Sequence, residues 1–269
     1  MNTAHMQDRH TNRKAYFEEQ SKTVSRHVIP FLKDVMNIGS ETSVLEIGCG
    51  EGGNLLPFLD LGCKRVVGND ISESKVENAR QYFTEHPQVK NLELISDDIY
   101  NVEGLGQFDL IIMRDVIEHI HGQEKFMHIV KKFLKPEGKF FLGFPPWYNP
   151  FGGHQQICRS KLLSKLPYFH ILPTPAYKGI LKAFGENNDT VEALLEIKQT
   201  GISLERFERI LRKENYHTDK KGLYFINPNY EVKFGLKPRK AWSIVAAIPF
   251  FRNFLITAGY YVVSIKNEK

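Results

Sequence analysis

The sequence predicts an α/β protein with a doubly wound, mostly parallel sheet of seven strands and an insertion after the fifth strand. From Val44 onward, short apolar runs alternate with segments of helical periodicity, and the links between them are short. The run FDLIIM (108–113) is almost entirely apolar, which indicates a strand buried on both faces of a parallel sheet. A glycine cluster follows the first apolar run. Strand–helix alternation of this kind is typical of a doubly wound sheet.

Each element can be assigned from its own pattern. Residues 15–36 have apolar positions at helical spacing, so we expect a helical cap over residues 1–40 and a main domain over residues 41–269. The predicted strands are SVLEIG, RVVGND, LELIS, FDLIIM, FFLGF, LYFINPNYEVKFG and GYYVVSIK. The predicted helices cover 53–60, 73–86, 123–134 and 203–216. We expect the last strand to be antiparallel and to lie between strand five and the strand that precedes it in sequence.

The strand–helix alternation stops after strand five. Residues 145–202 are rich in proline and aromatic residues and carry short helical patterns, so we expect an insertion that forms a lid over a bound ligand. Trp147, Tyr148 and Phe151 are candidates for the lining of a ligand pocket, because such pockets are mostly apolar and aromatic. Aromatic residues beside a sheet edge are equally typical of ordinary core.

Composition and charge narrow the class of protein. The net charge of +5 on 269 residues permits an anionic ligand or surface but does not require nucleic acid. Cys49, Cys63 and Cys158 have no metal-binding spacing, and we expect free thiols in a reducing, cytoplasmic compartment. Residues 1–14 have no apolar core, which argues against a secretory signal and favours a frayed polar lead-in.

The run AWSIVAAIPFFRNFLITAGYYVV (241–263) is the most membrane-like part of the sequence. Pro249, Arg252, Asn253 and Gly259 interrupt it, and the uncharged piece is shorter than the roughly 20 residues that a spanning helix needs. We therefore expect no transmembrane span but a buried or amphipathic helix followed by the final strand. The alternative is peripheral contact with a lipid surface, where aromatic residues and cations occur together.

The glycine cluster predicts a tight turn that presents backbone amides to a ligand. Gly48-x-Gly50-x-x-Gly53 fits the nicotinamide and flavin fingerprint, whereas Gly48-x-Gly50-x-Gly52 fits the turn that binds S-adenosylmethionine (SAM). Asp70, about 20 residues further on, would accept hydrogen bonds from a ribose in either case. The glycines and Asp70 alone therefore leave a NAD-dependent oxidoreductase open.

Six motifs that follow in order distinguish the two cofactors. LEIGCGEG, GNDIS, DDI, FDLII, VIEH and LKPEG occur between Val44 and Pro146, a little over a third of the chain. In these motifs the chain resembles the class I SAM-dependent methyltransferases, in the broad group that contains ubiquinone-pathway and many small-molecule enzymes. The resemblance implies a Rossmann-like SAM methyltransferase fold with SAM as the cofactor.

The resemblance also implies a role for each residue at the motif positions. Glu46, Gly48 and Gly50 would line the methionine end of SAM, with Glu46 near its ammonium group. Asp70 would bind the ribose, and Ile71 would pack on the adenine.

The remaining cofactor contacts are implied further along the chain. Asp98 would accept from the adenine amino group while the Ile99 amide donates to the ring, although the adjacent Asp97 is a rival for this role. Arg114 would meet the cofactor mainly through its backbone. Tyr16 could close over the cofactor or belong to the core.

The stretch RDVIEHIH raises the question of a metal. On a helix, Asp115, Glu118 and His119 at positions i, i+3 and i+4 would share one face and offer an O/O/N set for a divalent ion, with His154 as a fourth ligand. The ubiquinone-pathway and small-RNA 2′-O-methyltransferases have a similar E-x-x-E-H pattern for a metal, but Asp115 here replaces the first Glu. The alternative is a structural turn, and we favour an enzyme without a metal. His154, as general base or ligand, is our first candidate for catalysis, and His119 is the second.

These observations predict a SAM-dependent methyltransferase that acts on a small-molecule or lipid-like acceptor, by O- or N-methylation, beneath a substrate lid at 145–202. One alternative is a metal-dependent RNA 2′-O-methyltransferase, although the mild charge argues against nucleic acid as a partner. The others are a NAD-dependent oxidoreductase and a non-catalytic SAM-binding module. The sequence indicates no oligomeric state.

Overall fold

The computed structural model describes residues 12–266, which fold around a single sheet of eight strands. The strands are β1 (Ser43–Ile47), β2 (Arg65–Asp70), β3 (Leu92–Ser96), β4 (Phe108–Arg114), β5 (Leu134–Phe144), β6 (Tyr216–Ile226), β7 (Arg239–Lys240) and β8 (Ala258–Ile265). Their spatial order is β3-β2-β1-β4-β5-β8-β6-β7. The strand order reverses between β1 and β4, and doubly wound sheets bind ligands outside the carboxyl ends of the strands at such a point.

The directions of the strands confirm the predicted topology. Strands β1 to β5 pair in parallel, and β8 pairs antiparallel with both β5 and β6. The last strand thus lies between strand five and its predecessor in sequence, as expected. The predicted count of seven strands is one too low, because the two-residue β7 pairs with Tyr224 and Ile226 at the edge of the sheet.

Helices cover both faces of the sheet. They are α1 (Arg13–Thr23), α2 (Ile29–Lys33), α3 (Leu56–Asp60), α4 (Glu73–Phe83), α5 (Gln123–Val130), α6 (Thr174–Ala183), α7 (Asn188–Thr200), α8 (Leu204–Lys213), α9 (Asn229–Phe234), α10 (Ser243–Ala246) and α11 (Arg252–Leu255). Neighbouring residues of β4 enter opposite cores, with Ile111 in one and Leu110 and Ile112 in the other. This alternation confirms that the strand is buried on both faces.

The N-terminal helices pack directly on the glycine turn after β1. A π-helical turn (Val24–Val28) joins α1 to α2, and Phe17 of α1 contacts the rings of Tyr82 and Phe83 with centroids 5.1 and 5.4 Å away. A β-carbon on Gly53 would lie 2.4 Å from the Phe17 carbonyl oxygen, so the close approach of α1 requires glycine there. The expected N-terminal cap is helical, and the expected polar lead-in lies largely outside the described residues.

The insertion after β5 has a small core of its own. Buried residues of this core include Leu163, Phe169, Tyr177 and Leu194. The side-chain amide of Gln123 in α5 donates to two backbone carbonyls, that of Ile117 after β4 and that of Thr200 at the end of α7. The insertion is therefore tied to the carboxyl end of β4.

Two predicted elements differ from the structure. The run LYFINPNYEVKFG is a strand as far as Ile226, and α9 follows because Pro228 cannot continue a strand ladder and is compatible with a helix start. In the run 241–263, the expected buried or amphipathic helix is absent. Two single-turn helices, α10 and α11, take its place, since Pro249 and a left-handed Phe250 (φ 60°) interrupt the chain. Among residues 12–266, no helix has the length and apolar character needed to cross a bilayer.

Candidate functional site

The glycine turn between β1 and α3 adopts backbone conformations that favour glycine. Gly48, Gly50 and Gly52 have φ angles of 76°, 53° and 80°. The Gly48 amide donates to the Asn69 carbonyl, and the Gly50 amide donates to the Asp70 carboxylate at 2.8 Å. These bonds hold the turn against the end of β2.

The two sides of this turn differ in the space around them. A β-carbon on Gly48 would lie 2.5 Å from Val116, so this glycine is needed for close packing. A β-carbon on Gly50 would meet its nearest neighbour, Lys75, only at 4.0 Å. The Gly50 side of the turn is therefore open to a ligand.

A buried polar chain starts at Glu46, near the carboxyl end of β1. Asn54 donates to one Glu46 carboxylate oxygen at 2.6 Å, and the Arg114 guanidinium donates to the Asn54 carbonyl at 2.7 Å and also to Asn229. The second Glu46 oxygen has no hydrogen-bond partner among the described residues. Burial raises the pKa of Glu46 to about 8, although the Asn54 hydrogen bond and Arg114 oppose the shift.

The resemblance implied a backbone role for Arg114, and sequence reasoning missed Asn54 and Asn229 altogether. The side chain of Arg114 is buried and links β4 through Asn54 to the end of β1. Nothing in the local sequence pattern marks Asn54 or Asn229, because they meet Arg114 across 60 and 115 residues of chain.

Asp70 and Ile71 lie together at the end of β2. The two Asp70 carboxylate oxygens accept from the amides of Gly50 and Ser72, so the carboxylate is fixed in orientation. Ser72 precedes α4, but its side chain makes no capping bond. Ile71 is 78% exposed, so its side chain is accessible to a ligand.

Asp98 and Ile99 follow β3 on the same edge of the sheet. The exposed Asp98 accepts from the Tyr100 amide, and its own amide donates to Asp97. The Ile99 side chain is buried in the core. The structure thus brings the Asp98–Ile99 backbone to the same edge of the sheet as Asp70.

A second cluster forms where β4 and the insertion meet. Ligand atoms of Glu118, His119 and His154 all lie within 4.8 Å of one another. The two imidazole rings are edge to face, with centroids 5.0 Å apart. Both Glu118 carboxylate oxygens are buried without a hydrogen-bond partner among the described residues.

Burial shifts the pKa of each side chain in the cluster in the direction that favours its uncharged form. Burial and the nearby Asp115 charge raise the pKa of Glu118 well above its usual range. Burial lowers the pKa of His154 to about 4, and partial desolvation lowers the pKa of His119, one edge of which remains exposed. Both histidines can therefore accept a proton or offer a lone pair.

The local backbone differs from the helix that the spacing suggested. Asp115 has a left-handed φ of 54° and its amide donates to Gly143, so the chain turns sharply after β4. Ile117–His119 forms a single 3-10 turn. The expected set of Asp115, Glu118 and His119 on one helical face is therefore wrong, and Asp115 does not belong to the cluster.

The predicted aromatic residues of the insertion divide into two groups. Trp147 is buried against His170, with ring centroids 4.7 Å apart, and belongs to the core. Tyr148 and Phe151 are partly exposed, and the Phe151 carbonyl accepts from the His154 amide at 3.2 Å. Phe151 thus supports the backbone of His154, which has a φ of 54°.

The N-terminal helix α1 closes one side of the site. Arg13 pairs with the buried Glu51 of the glycine turn, with Nε 2.7 Å from the carboxylate. A cavity of about 20 Å³ lies between α1, the end of β4 and α9, with Tyr16, Gln20, Arg114 and Asn229 among its lining residues. Burial raises the pKa of Tyr16 to about 12, so its hydroxyl stays protonated. The cavity has room for about one water molecule.

The sequence of the chain is similar to those of known methyltransferases. A family model described as a methyltransferase domain matches residues 38–163. The chain is 30% identical over 177 residues to a ubiquinone biosynthesis O-methyltransferase of Thiobacillus denitrificans, a match that covers 64% of this chain and 72% of that protein.

Other relatives match over shorter regions. A mitochondrial ubiquinone biosynthesis O-methyltransferase of Dictyostelium discoideum is 31% identical over 109 residues, or 37% of this chain and 34% of the relative. A ubiquinone biosynthesis O-methyltransferase of Rickettsia bellii is 30% identical over 112 residues, or 42% of this chain and 45% of the relative. The matched part of the chain thus spans less than half the length of these two relatives.

Solved structures share the fold. A geranyl diphosphate C-methyltransferase from Streptomyces coelicolor superposes with a TM-score of 0.56 at 13% identity, and covers 90% of this chain and 80% of its own. A magnesium protoporphyrin IX methyltransferase from Synechocystis superposes with a TM-score of 0.53 at 15% identity, covering 92% and 83%. The similarity extends across the sheet and the insertion.

Proposed function

Because the chain belongs to the class I SAM-dependent methyltransferases, whose cofactor is SAM, we propose that it transfers the SAM methyl group to an oxygen of a small-molecule or lipid-like acceptor. The observation that carries this proposal is the buried Glu46 carboxylate beside the open glycine turn, with one oxygen lacking a partner. Family membership also removes the NAD-dependent oxidoreductase that the glycines left open. The names of the relatives favour oxygen over nitrogen as the acceptor atom.

We assign the cofactor contacts along the carboxyl edge of the sheet. Glu46 would pair with the methionine ammonium, and the amides of the Gly48–Gly50 turn would face the methionine end. Asp70 is already oriented by two amides and would accept from the ribose hydroxyls. The exposed Ile71 would cover the adenine, and Asp98 with the Ile99 amide would bind its edge.

Methyl transfer is an in-line displacement in which the acceptor–carbon bond forms as the carbon–sulfur bond breaks. Positioning supplies much of the rate, and an acceptor hydroxyl must also lose its proton. His119 and His154 lie at the carboxyl edge near β4 and are neutral near pH 7, so either can take that proton. The exposed edge of His119 supports access from the acceptor side.

The residues of this cluster also fit a divalent cation. Glu118 supplies two orphaned carboxylate oxygens, and His119 and His154 supply neutral nitrogens, a donor set suited to transition metals. A cation held there would lower the pKa of a coordinated hydroxyl. This observation favours a metal more strongly than the sequence spacing did, through Glu118, His119 and His154 and without Asp115.

Calorimetry and a transfer assay test the proposal. We expect the full chain to bind SAM and S-adenosylhomocysteine, and Glu46→Ala to weaken both by at least about tenfold while remaining folded. Absence of binding to either compound in folded protein would overturn the proposal. Transfer of labelled methyl to phenolic acceptors, with RNA 5′ and 3′ ends as a parallel substrate, distinguishes the two acceptor classes. Binding without transfer would leave the SAM-binding module as the function.

A further inference from the structure

Two segments outside the proposed active site expose unusually large apolar side chains. In residues 242–255, Trp242, Ile244 and Phe250 are 65%, 74% and 70% exposed, and Phe251 is also exposed. In residues 157–171, Leu162 and Leu166 are exposed. We call the exposed apolar side chains of these two segments the apolar ridge. Contiguous apolar surface of this kind usually marks an interaction site.

The two segments of the apolar ridge meet at Phe254. The Tyr168 hydroxyl donates to the Phe254 carbonyl at 2.9 Å, and the two rings lie 6.2 Å apart. Tyr148, which precedes the segment 157–171, also contacts Phe254, with ring centroids 5.6 Å apart. These contacts make the two segments adjoin at Phe254.

The base of the segment 242–255 is held firmly. Arg252 is buried and donates to Glu205 and Glu208 of α8, each at 2.8 Å. The Phe250 amide donates to the same Glu205 carboxylate at 2.9 Å. The exposed tips thus project from an anchored base.

Phe250 gives a second sign that the tips are presented to a partner. Its φ of 60° lies in the left-handed region, which costs a bulky non-glycine residue conformational energy. An exposed polar residue or glycine would avoid both this strain and the exposed ring. The backbone instead holds an aromatic ring that is 70% exposed to solvent.

Neither segment of the apolar ridge contains an acidic residue, and the carboxylates that contact the segments, Glu186, Glu205 and Glu208, are engaged by backbone amides or by Arg252. No aspartate or glutamate occurs from residue 138 to residue 185, or from residue 232 to residue 267, although the chain contains 31 acidic residues. Exposed cations occur in both stretches, namely Arg159, Lys161, Lys165, Lys237, Arg239 and Lys240. Apolar tips among cations complement the interface of an anionic bilayer, where aromatic rings lie at the headgroup level and cations meet lipid phosphates.

We propose that the apolar ridge docks the protein on the surface of an anionic lipid bilayer, with the aromatic tips of residues 242–255 inserted among the headgroups. The inference does not depend on methyl transfer. No helix in the described part of the chain can span a bilayer, so docking would be peripheral. A protein partner would need acidic side chains to match the cations, whereas an anionic bilayer supplies both negative charge and an apolar interior.

Vesicle co-sedimentation of the full chain tests this proposal. We expect binding to vesicles of phosphatidylcholine with phosphatidylglycerol, weak binding to phosphatidylcholine alone, and release at high salt. Ile244→Ser and Phe250→Asn should each weaken binding at least about tenfold. Phe250→Asn should also fold well, because Asn tolerates a positive φ. Val89→Ser, an exposed apolar substitution before β3 at the far edge of the sheet, is the matched control and should leave binding unchanged.

Tryptophan fluorescence adds a direct readout, because Trp242 is exposed and the other tryptophan, Trp147, is buried. Anionic vesicles should shift the emission to shorter wavelength, and Trp242→Phe should remove the shift. Equal binding by wild type, Ile244→Ser and Phe250→Asn, or no binding to either vesicle, would overturn the proposal. So would a dimer in solution that Ile244→Ser dissociates, since the apolar ridge would then be an interface between copies.

Discussion

The side-chain amide of Asn54 donates a 2.6 Å hydrogen bond to one carboxylate oxygen of Glu46, while the other oxygen lacks a partner among the described residues. Burial raises the pKa of Glu46 to about 8, so the group is mostly protonated at pH 7. A ligand ammonium would stabilise the carboxylate. We therefore expect SAM or S-adenosylhomocysteine to release close to one proton on binding at pH 6.5.

Calorimetry in buffers of different ionisation enthalpy measures this proton count. Glu46→Gln should release almost none, because the amide cannot ionise. If the wild type and Glu46→Gln release equal numbers of protons, Glu46 does not bind the ammonium group.

The raised pKa of Glu46 also predicts how the free energy of unfolding depends on pH in the absence of ligand. The folded-state pKa of Glu46 lies above the 4.5 of an ordinary glutamate, so the folded protein binds the extra proton. Its contribution is fully present below about pH 4.5 and is lost as the pH rises toward 8, at up to about 1.4 kcal/mol per pH unit. Denaturant unfolding at pH 5.5, 6.5 and 7.5 should show this slope in the wild type and a shallower one in Glu46→Gln. Parallel slopes would contradict the assignment.

Gly53 predicts a stability effect at the contact between the cap and the glycine turn. A β-carbon at residue 53 would lie 2.4 Å from the Phe17 carbonyl oxygen and 2.9 Å from Gln20, so Gly53→Ala must displace α1. We expect a loss of roughly 1–3 kcal/mol in the free energy of unfolding and weaker SAM binding. Gly39→Ala is the matched control, since nothing lies within 4 Å of its β-carbon and its φ is not positive. Equal unfolding midpoints for the two variants would show that α1 is not held by this contact.

The histidine cluster predicts a cation effect on thermal stability. If Glu118, His119 and His154 hold a divalent ion, Mn²⁺ or Zn²⁺ should raise Tm and a chelator should reverse the rise. Glu118→Gln should keep the metal-free Tm within a few degrees, because burial already disfavours the charged carboxylate, but should lose the cation response.

His217→Asn, an exposed histidine on β6, is the control and should retain the cation response. A Tm that no cation changes, with transfer activity insensitive to chelator, would leave the two histidines as candidates for the general base alone.

The sequence predicted most of the sheet because each strand carries its own local signal. Continuous apolar runs identified β4, and the position of β8 between β5 and β6 followed from the expected topology. The glycine turn was equally local, since three of its glycines have positive φ.

The features that could not be predicted depend on contacts between residues far apart in sequence or on left-handed backbone conformations. Arg114 reaches Asn54 and Asn229 through the fold, and no short motif encodes that path. Asp115 adopts a left-handed conformation that turns the chain after β4, so the helical geometry expected from RDVIEHIH was wrong. In the run 241–263 the final strand is present, but the helix expected before it is absent because Pro249 and the left-handed Phe250 interrupt the chain.

The position of the antiparallel β8 affects how the sheet assembles during synthesis on the ribosome. β5 and β6 do not pair with each other and are joined only through β8, which follows both in the chain. Until residues 258–265 emerge, the nascent sheet has an open edge at β5, and β6 lacks β8, the antiparallel strand that joins it to the rest of the sheet. Unpaired apolar strand edges recruit other chains. We therefore expect the sheet to be completed only after residues 258–265 have been synthesised.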